Sequence, residues 1–281
     1  MKKLICLGTA LLLLLTGCSD AHASMKSAAD PLMSVGKTTI TKGDVYNFLK
    51  KSASGMIIQD ALDKIVEAEV EVTPEMEESA RSTETLYKTM YGDAYEDMVK
   101  AYGYEDAEDF YNRALLASAK ENELIKKYVK ENLETVATEY APKKAIVMDF
   151  NTVDDADLAK TELDAGSEPA KVLVNYESTA SGAEEIVTAQ SGYPSEVLAV
   201  LNSISADDGY AKIAGSDGKV YLIKLISSDV NDFADEFVES IYQTGTFSTD
   251  AVAHYLKKYN FSIHDRETYD ALKTAYPDFI K

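Results

Sequence analysis

Cysteine and histidine are nearly missing from this chain, with two of the first and three of the second in 281 residues. Cys6 lies inside an apolar leader and Cys18 at its end, so no thiol is left for a disulfide or for nucleophilic catalysis once the leader is removed. No Gly-x-Ser-x-Gly elbow occurs. Gly36-Lys37-Thr38 imitates the end of a phosphate-binding loop, but that loop needs a glycine five residues earlier, where Pro31 stands. Positive charge is scarce as well: 28 Lys and Arg face 48 Asp and Glu, a formal net charge of -20. That balance excludes nucleic acid as a natural partner and argues against close electrostatic contact with an anionic membrane beyond a lipid anchor. It supplies solubility and some steering of basic partners. The acid groups Asp154-Asp155-Asp157 and Glu67-Glu69-Glu71 lack the glycine-centred loop and terminal glutamate of a calcium site. They read as solvated faces, and no metal or other cofactor is expected.

What is present begins at the N-terminus. Lys2 and Lys3 precede an apolar run from Leu4 to Leu15, which falls short of the ~20 residues a helix needs to cross a bilayer and reads as a secretory leader. It closes at Leu15-Thr16-Gly17-Cys18, the residues a lipoprotein signal peptidase recognises. The thiol of Cys18 is expected to receive a diacylglyceryl group, and the mature chain to start there. The plainer alternatives are an uncleaved anchor or a signal peptide cut near Ala21-His22-Ala23. Two acyl chains at one cysteine hold a protein far better than a single myristoyl chain, so the expectation is a soluble body tethered to the extracytoplasmic face of the cell membrane.

Beyond a Ser-, Ala- and Asp-rich tether the periodicity divides the chain in three. Val45, Phe48 and Leu49 give a first helix after Ile40-Thr41-Lys42-Gly43-Asp44. Ile58, Ala61, Leu62, Ile65 and Val66 give an amphipathic second. Thr73-Pro74-Glu75 starts another, with Thr73 as N-cap and Pro74 at the first helical position. A long helix from about Glu105 carries Phe110, Ala114, Ala117, Leu124 and Tyr128 on one stripe, interrupted by Glu121. From Lys143 the pattern turns to mixed α/β: compact apolar runs at Ala145–Phe150 and Lys171–Tyr176 flank a helix through Ala156, Ala159 and Leu163. A helix over Ser195–Ile204 follows, then a hairpin around Gly215-Ser216-Asp217-Gly218. Helical spacing returns with Phe233, Phe237 and Ile241, then Val252, Tyr255, Leu256 and Tyr259, and a last helix around Tyr269 and Leu272.

This order, with Val35-Gly36-Lys37-Thr38-Thr39-Ile40-Thr41-Lys42-Gly43-Asp44-Val45, Ala61–Ala68, Val72-Thr73-Pro74-Glu75 and Tyr102-Gly103-Tyr104 before the long helix through Arg113, Leu115 and Leu116, resembles the PrsA-type foldase lipoproteins, relatives of the SurA and trigger-factor chaperones. The resemblance implies a mostly α fold with an α/β insert: a discontinuous helical chaperone domain plus a small parvulin-like α+β domain. The boundaries implied are 1–17 signal peptide, 18–34 tether, 35–142 N-terminal part of the chaperone domain, 143–227 parvulin-like domain and 228–281 C-terminal part of the chaperone domain.

The insert departs from the family pattern. Parvulins carry a histidine in the first strand and another in the last, yet the corresponding runs here are Ala145-Ile146-Val147-Met148 and Tyr221-Leu222-Ile223-Lys224-Leu225. The three histidines are His22, His254 and His264, the last two expected at the surface, and no catalytic residue is expected. The reading is an ATP-independent chaperone that binds unfolded or newly secreted polypeptides through an apolar cleft, with isomerase activity lost. The client-binding candidates are Tyr87, Tyr91, Tyr95, Tyr102, Phe110, Phe233 and Phe237, because tyrosine pairs a large apolar face with a polar tip. The family leaves room for a homodimer. The alternatives are an active peptidyl-prolyl isomerase with displaced catalytic groups, or a solute-binding or structural envelope lipoprotein.

Overall fold

The computed structural model describes residues 25–52 and 54–280; the leader, Cys18 and His22, and with them the lipid-attachment expectation, lie outside them. The described chain opens with an antiparallel hairpin, β1 (Pro31–Val35) and β2 (Thr38–Thr41), turning at Gly36 with φ +62°. Thr41 and Asp44 then cap each other reciprocally, Asp44 N–H donating to the Thr41 hydroxyl at 3.2 Å and Thr41 N–H to the Asp44 carboxylate at 2.9 Å. This starts α1 (Lys42–Ser52), followed by α2 (Ser54–Glu69). Ile58, Leu62, Ile65 and Val66 are buried as their spacing predicts. The first helix inverts the expectation: Phe48 and Leu49 are exposed, and the buried residue is Lys50, drawn in by Asp265 and Glu267 at 3.3 and 3.0 Å.

Thr73 caps α3 (Pro74–Tyr91), its hydroxyl accepting from Met76 N–H at 3.3 Å. After α4 (Tyr95–Ala101), Asp106 caps α5 (Ala107–Phe110), which runs through a π-helical stretch, Tyr111–Leu116, into α6 (Ala117–Glu131). A π turn adds a residue to the helical period and so shifts the apolar stripe. Phe110 and Tyr111 are consecutive and both buried, and beyond the turn the stripe continues at Leu124 and Val129, with Tyr128 only partly covered. α7 (Leu133–Tyr140) ends at Ala141 in the left-handed region.

A four-stranded antiparallel sheet follows, in the order β4-β3-β6-β5. Its elements are β3 (Lys143–Phe150), α8 (Val153–Asp164), α9 (Pro169–Leu173), β4 (Glu185–Val187), α10 (Ser195–Leu201), β5 (Ala211–Ala214) and β6 (Val220–Ser227). Strand alternation sorts the core. Ile146, Met148, Phe150, Val220 and Leu222 face α8 and α9. Ala145, Val147, Tyr221, Ile223 and Leu225 face Val197 and Leu201 of α10. The apolar run at Lys171–Tyr176 forms a helical turn and no strand, because Pro169 occupies the first helical position and sets its φ for helix. The chain closes with α11 (Ala234–Ile241), α12 (Phe247–Lys258) and α13 (Arg266–Ala275).

The chain forms two compact units. In the first, whose described residues run up to Leu124 and onward from Ser248, α1 and α2 pack against α13, and Glu69 at the end of α2 holds Lys258 at 2.6 Å and the Tyr259 hydroxyl at 3.0 Å. The second, Ile125–Phe247, holds the sheet together with helical residues on either side of it. There Phe233, Phe237, Val238 and Ile241 pack on Val129, Val136 and Tyr140. Lys130–Asp235 at 2.8 Å and Lys126–Glu239 tie α6 to α11.

Candidate functional site

In the first unit Phe110 is the centre of an aromatic cluster. Tyr87, Tyr95 and Tyr104 meet its ring edge-on at centroid distances of 5.6, 6.4 and 5.1 Å, a geometry favoured by the ring quadrupoles. The Arg81 guanidinium lies 3.3 Å over the Tyr111 ring and bonds Glu84 at 3.0 Å and Glu108 at 3.2 Å, which joins α3 to α5. Glu84 is buried; burial pushes its carboxyl up, but Lys88 and Arg81 outweigh that and hold it below the usual range. Burial and the Glu84 charge push the Tyr95 hydroxyl up to about 12, so Tyr95 is a neutral core residue at physiological pH.

Of the seven aromatic residues singled out from the sequence, Tyr95, Phe110, Phe233 and Phe237 are buried and Tyr87 is half-buried, leaving Tyr91 and Tyr102 exposed. Tyr87 and Tyr91 stack at 6.3 Å on α3. On the same helix Leu86 and Met90, 59% and 66% exposed, stand four residues apart and form an apolar ridge beside Tyr91; Tyr102, at the end of α4, is 69% exposed. Sequence reasoning passed over Leu86 and Met90 because it followed aromatics, although the i, i+4 spacing of two large apolar residues amid Glu, Thr and Lys was there to read.

The first unit also has a groove of about 710 Å³ between α2 and the π stretch with the start of α6. Asp60, Asp63, Glu67, Arg113, Lys120 and Glu121 line it alongside Met56, and Gln59 donates to Glu121 at 2.6 Å. Its wall is mixed, with Val66, Ala114 and Ala117 among the charged residues.

In the sheet, the two runs that correspond to the histidine-bearing strands are central neighbours, Val147 opposite Ile223 and Met148 opposite Leu222. Apart from Lys224 these positions are buried and apolar or aromatic. The Tyr221 hydroxyl donates to Asp217 at 2.7 Å, and its ring meets Tyr193, whose own hydroxyl donates to Glu185 at 2.7 Å. Burial first, then the neighbouring carboxylate, pushes both phenols up, so neither serves as a base near neutrality. Asp149 is the buried charge of this unit. It accepts from the Thr179 and Ala180 N–H groups at 3.0 Å and from the Ser178 and Thr179 hydroxyls at 3.1 and 2.9 Å, and it pairs with Lys219. Burial raises its pKa, but Lys219 and the two hydroxyls outweigh that and hold it below the usual carboxylate range. With every contact directed at a loop or a lysine, Asp149 fastens residues 178–180 to the sheet. His254 is half-buried, edge-on to Tyr255 at 5.0 Å, and His264 is exposed; both belong to the other unit.

No family model matches the chain. Foldase protein PrsA 2 of Bacillus cereus is 26% identical over 283 residues, which span 95% of this chain and 94% of the relative. Among solved structures, a peptidylprolyl isomerase (PrsA) from Bacillus cereus aligns with 89% of this chain and 100% of its own at 18% identity and a TM-score of 0.49. PrsA from Bacillus subtilis aligns with 88% and 99% at 15% identity and a TM-score of 0.40. Along nearly its whole length, then, this chain is similar in sequence to the PrsA-type foldases, as the order of its motifs predicts.

Proposed function

We propose that this chain is a lipid-anchored extracytoplasmic foldase that holds unfolded polypeptides without ATP and no longer catalyses prolyl isomerisation. The observation that carries the binding reading is the ridge of Leu86, Met90 and Tyr91 on α3, with Tyr102 beyond it: large apolar side chains left in water on a strongly acidic body. Such side chains suit weak contact with many sequences. Met adapts its shape to what it meets, and the surrounding charge keeps the complex soluble. Full-length relatedness to a protein named a foldase supports the same reading.

The loss of isomerase activity is supported by the central strands, whose facing positions hold aliphatic groups and Tyr221, bonded to a carboxylate, with Tyr193 packed on its ring and bonded to another. Two assays on the purified full chain test the pair of statements. It should slow aggregation of an unrelated denatured protein without nucleotide at several-fold molar excess. It should also leave X-Pro exchange in a test peptide at its uncatalysed rate of roughly tens to hundreds of seconds. A clear acceleration of exchange that survives further purification would restore the isomerase reading. Unchanged aggregation would favour a solute-binding or structural role.

A further inference from the structure

The charge of the chain is unevenly spread. Between Met25 and Ser52 there are five lysines and two aspartates, against a net charge of -20 for the whole chain. Lys50 is taken up by Asp265 and Glu267, and Lys42 pairs with Asp30 at 2.7 Å, but Lys26, Lys37 and Lys51 face solvent. The same segment exposes apolar side chains in an ordered way. Residues opposite each other across an antiparallel pair share a face. Met33 with Ile40 and Val35 with Thr38 therefore lie on one side of the hairpin, and Ser34 with Thr39, their hydroxyls 3.5 Å apart, on the other. The hairpin is amphipathic, and its apolar side is open: Met33 is 54% and Val35 71% exposed, with Leu32 exposed beside them at the irregularity in β1 and Phe48 and Leu49 exposed on the following helix. A two-stranded hairpin is marginal in water by itself, and an uncovered apolar side makes it more so.

We infer that the apolar side of the β1–β2 hairpin, in a segment that also exposes Lys26, Lys37 and Lys51, lies against an anionic lipid surface. The inference rests on the lipid anchor at Cys18. Twelve residues separate Cys18 from Pro31, and at full extension the thirteen steps between them reach at most about 45 Å, so the anchor keeps the hairpin within that distance of the bilayer. Lysines beside an apolar face are the charge pattern that anionic headgroups attract. A second copy meeting it hairpin to hairpin would set like charges together, and an uncharged client would leave the lysines without a role.

The chain has no tryptophan, so a single introduced indole reports its own surroundings. Lipid-modified full-length protein carrying Val35→Trp, or Met33→Trp as an independent reporter, is bound to phosphatidylglycerol-containing vesicles and floated with them. The expected result is a blue-shifted emission quenched by brominated lipid, with Val174→Trp, at another exposed position, neither shifted nor quenched. Adding Lys26→Glu, Lys37→Glu and Lys51→Glu should abolish the quenching while flotation persists. Flotation with the indole still in water overturns the docking and leaves the anchor standing. Failure to float overturns the anchor and the docking with it. A blue shift in detergent that grows with protein concentration overturns the docking in favour of self-association.

Discussion

At the scale of single residues, two buried ions organise the molecule. Asp149 gathers four hydrogen bonds and the Lys219 ammonium, so Asp149→Ala releases residues 178–180. Lys219 is itself part-exposed, so the cost is chiefly that of the lost hydrogen bonds to the loop, about 2 kcal/mol, measurable by urea unfolding at neutral pH. The pH dependence has a definite sign. The carboxyl's folded pKa lies below its ordinary value of 3.8, so its stabilisation is complete above that value and is lost as pH falls through the folded pKa. Wild type should therefore lose more stability than Asp149→Ala on acidification below about pH 4. Lys50 runs the other way. Although burial lowers its pKa, Glu267 and Asp265 raise it above 10.5, so its contribution is present at neutral pH and fades only at strongly alkaline pH. Neither ion was legible in the sequence, because their partners lie up to 70 and more than 200 residues away.

At the scale of elements, local chemistry was legible and tertiary demands were not. Thr73 caps α3 as its sequence predicts, and Thr73→Ala should cost about 1 kcal/mol with no change in fold, read from thermal unfolding. The hairpin between β5 and β6 turns at Gly218 with φ +86°; Gly218→Ala forces a side chain into the left-handed region and should cost about 1–2 kcal/mol. The first helix misled because Phe48 and Leu49 match a buried stripe by spacing, whereas the acid pair around α13 draws Lys50 inward. For the apolar run at Lys171–Tyr176, periodicity alone cannot separate a short strand from a short buried helix. Pro169 was the available sign.

At the scale of the whole molecule, the sequence disclosed the mostly helical plan, the α/β insert and the similarity to PrsA-type foldases, since order of motifs survives where identity is low. It did not disclose which large apolar residues reach solvent: Phe110, Phe233 and Phe237 complete cores, while Leu86 and Met90 remain outside. The leader makes its own prediction, that Cys18→Ala abolishes lipid labelling and moves the protein out of the membrane fraction. Persistence in that fraction would assign the anchor to the apolar leader. The central claim, that an exposed ridge on α3 holds unfolded chains, is tested most directly by comparing wild type with Leu86→Glu/Met90→Glu in suppression of aggregation of a denatured client without nucleotide. Both substitutions fall on exposed helix positions, so stability should stay within about 0.5 kcal/mol of wild type per site. The account predicts that suppression is largely lost while the fold is kept; a double variant that folds and suppresses aggregation as well as wild type would contradict it.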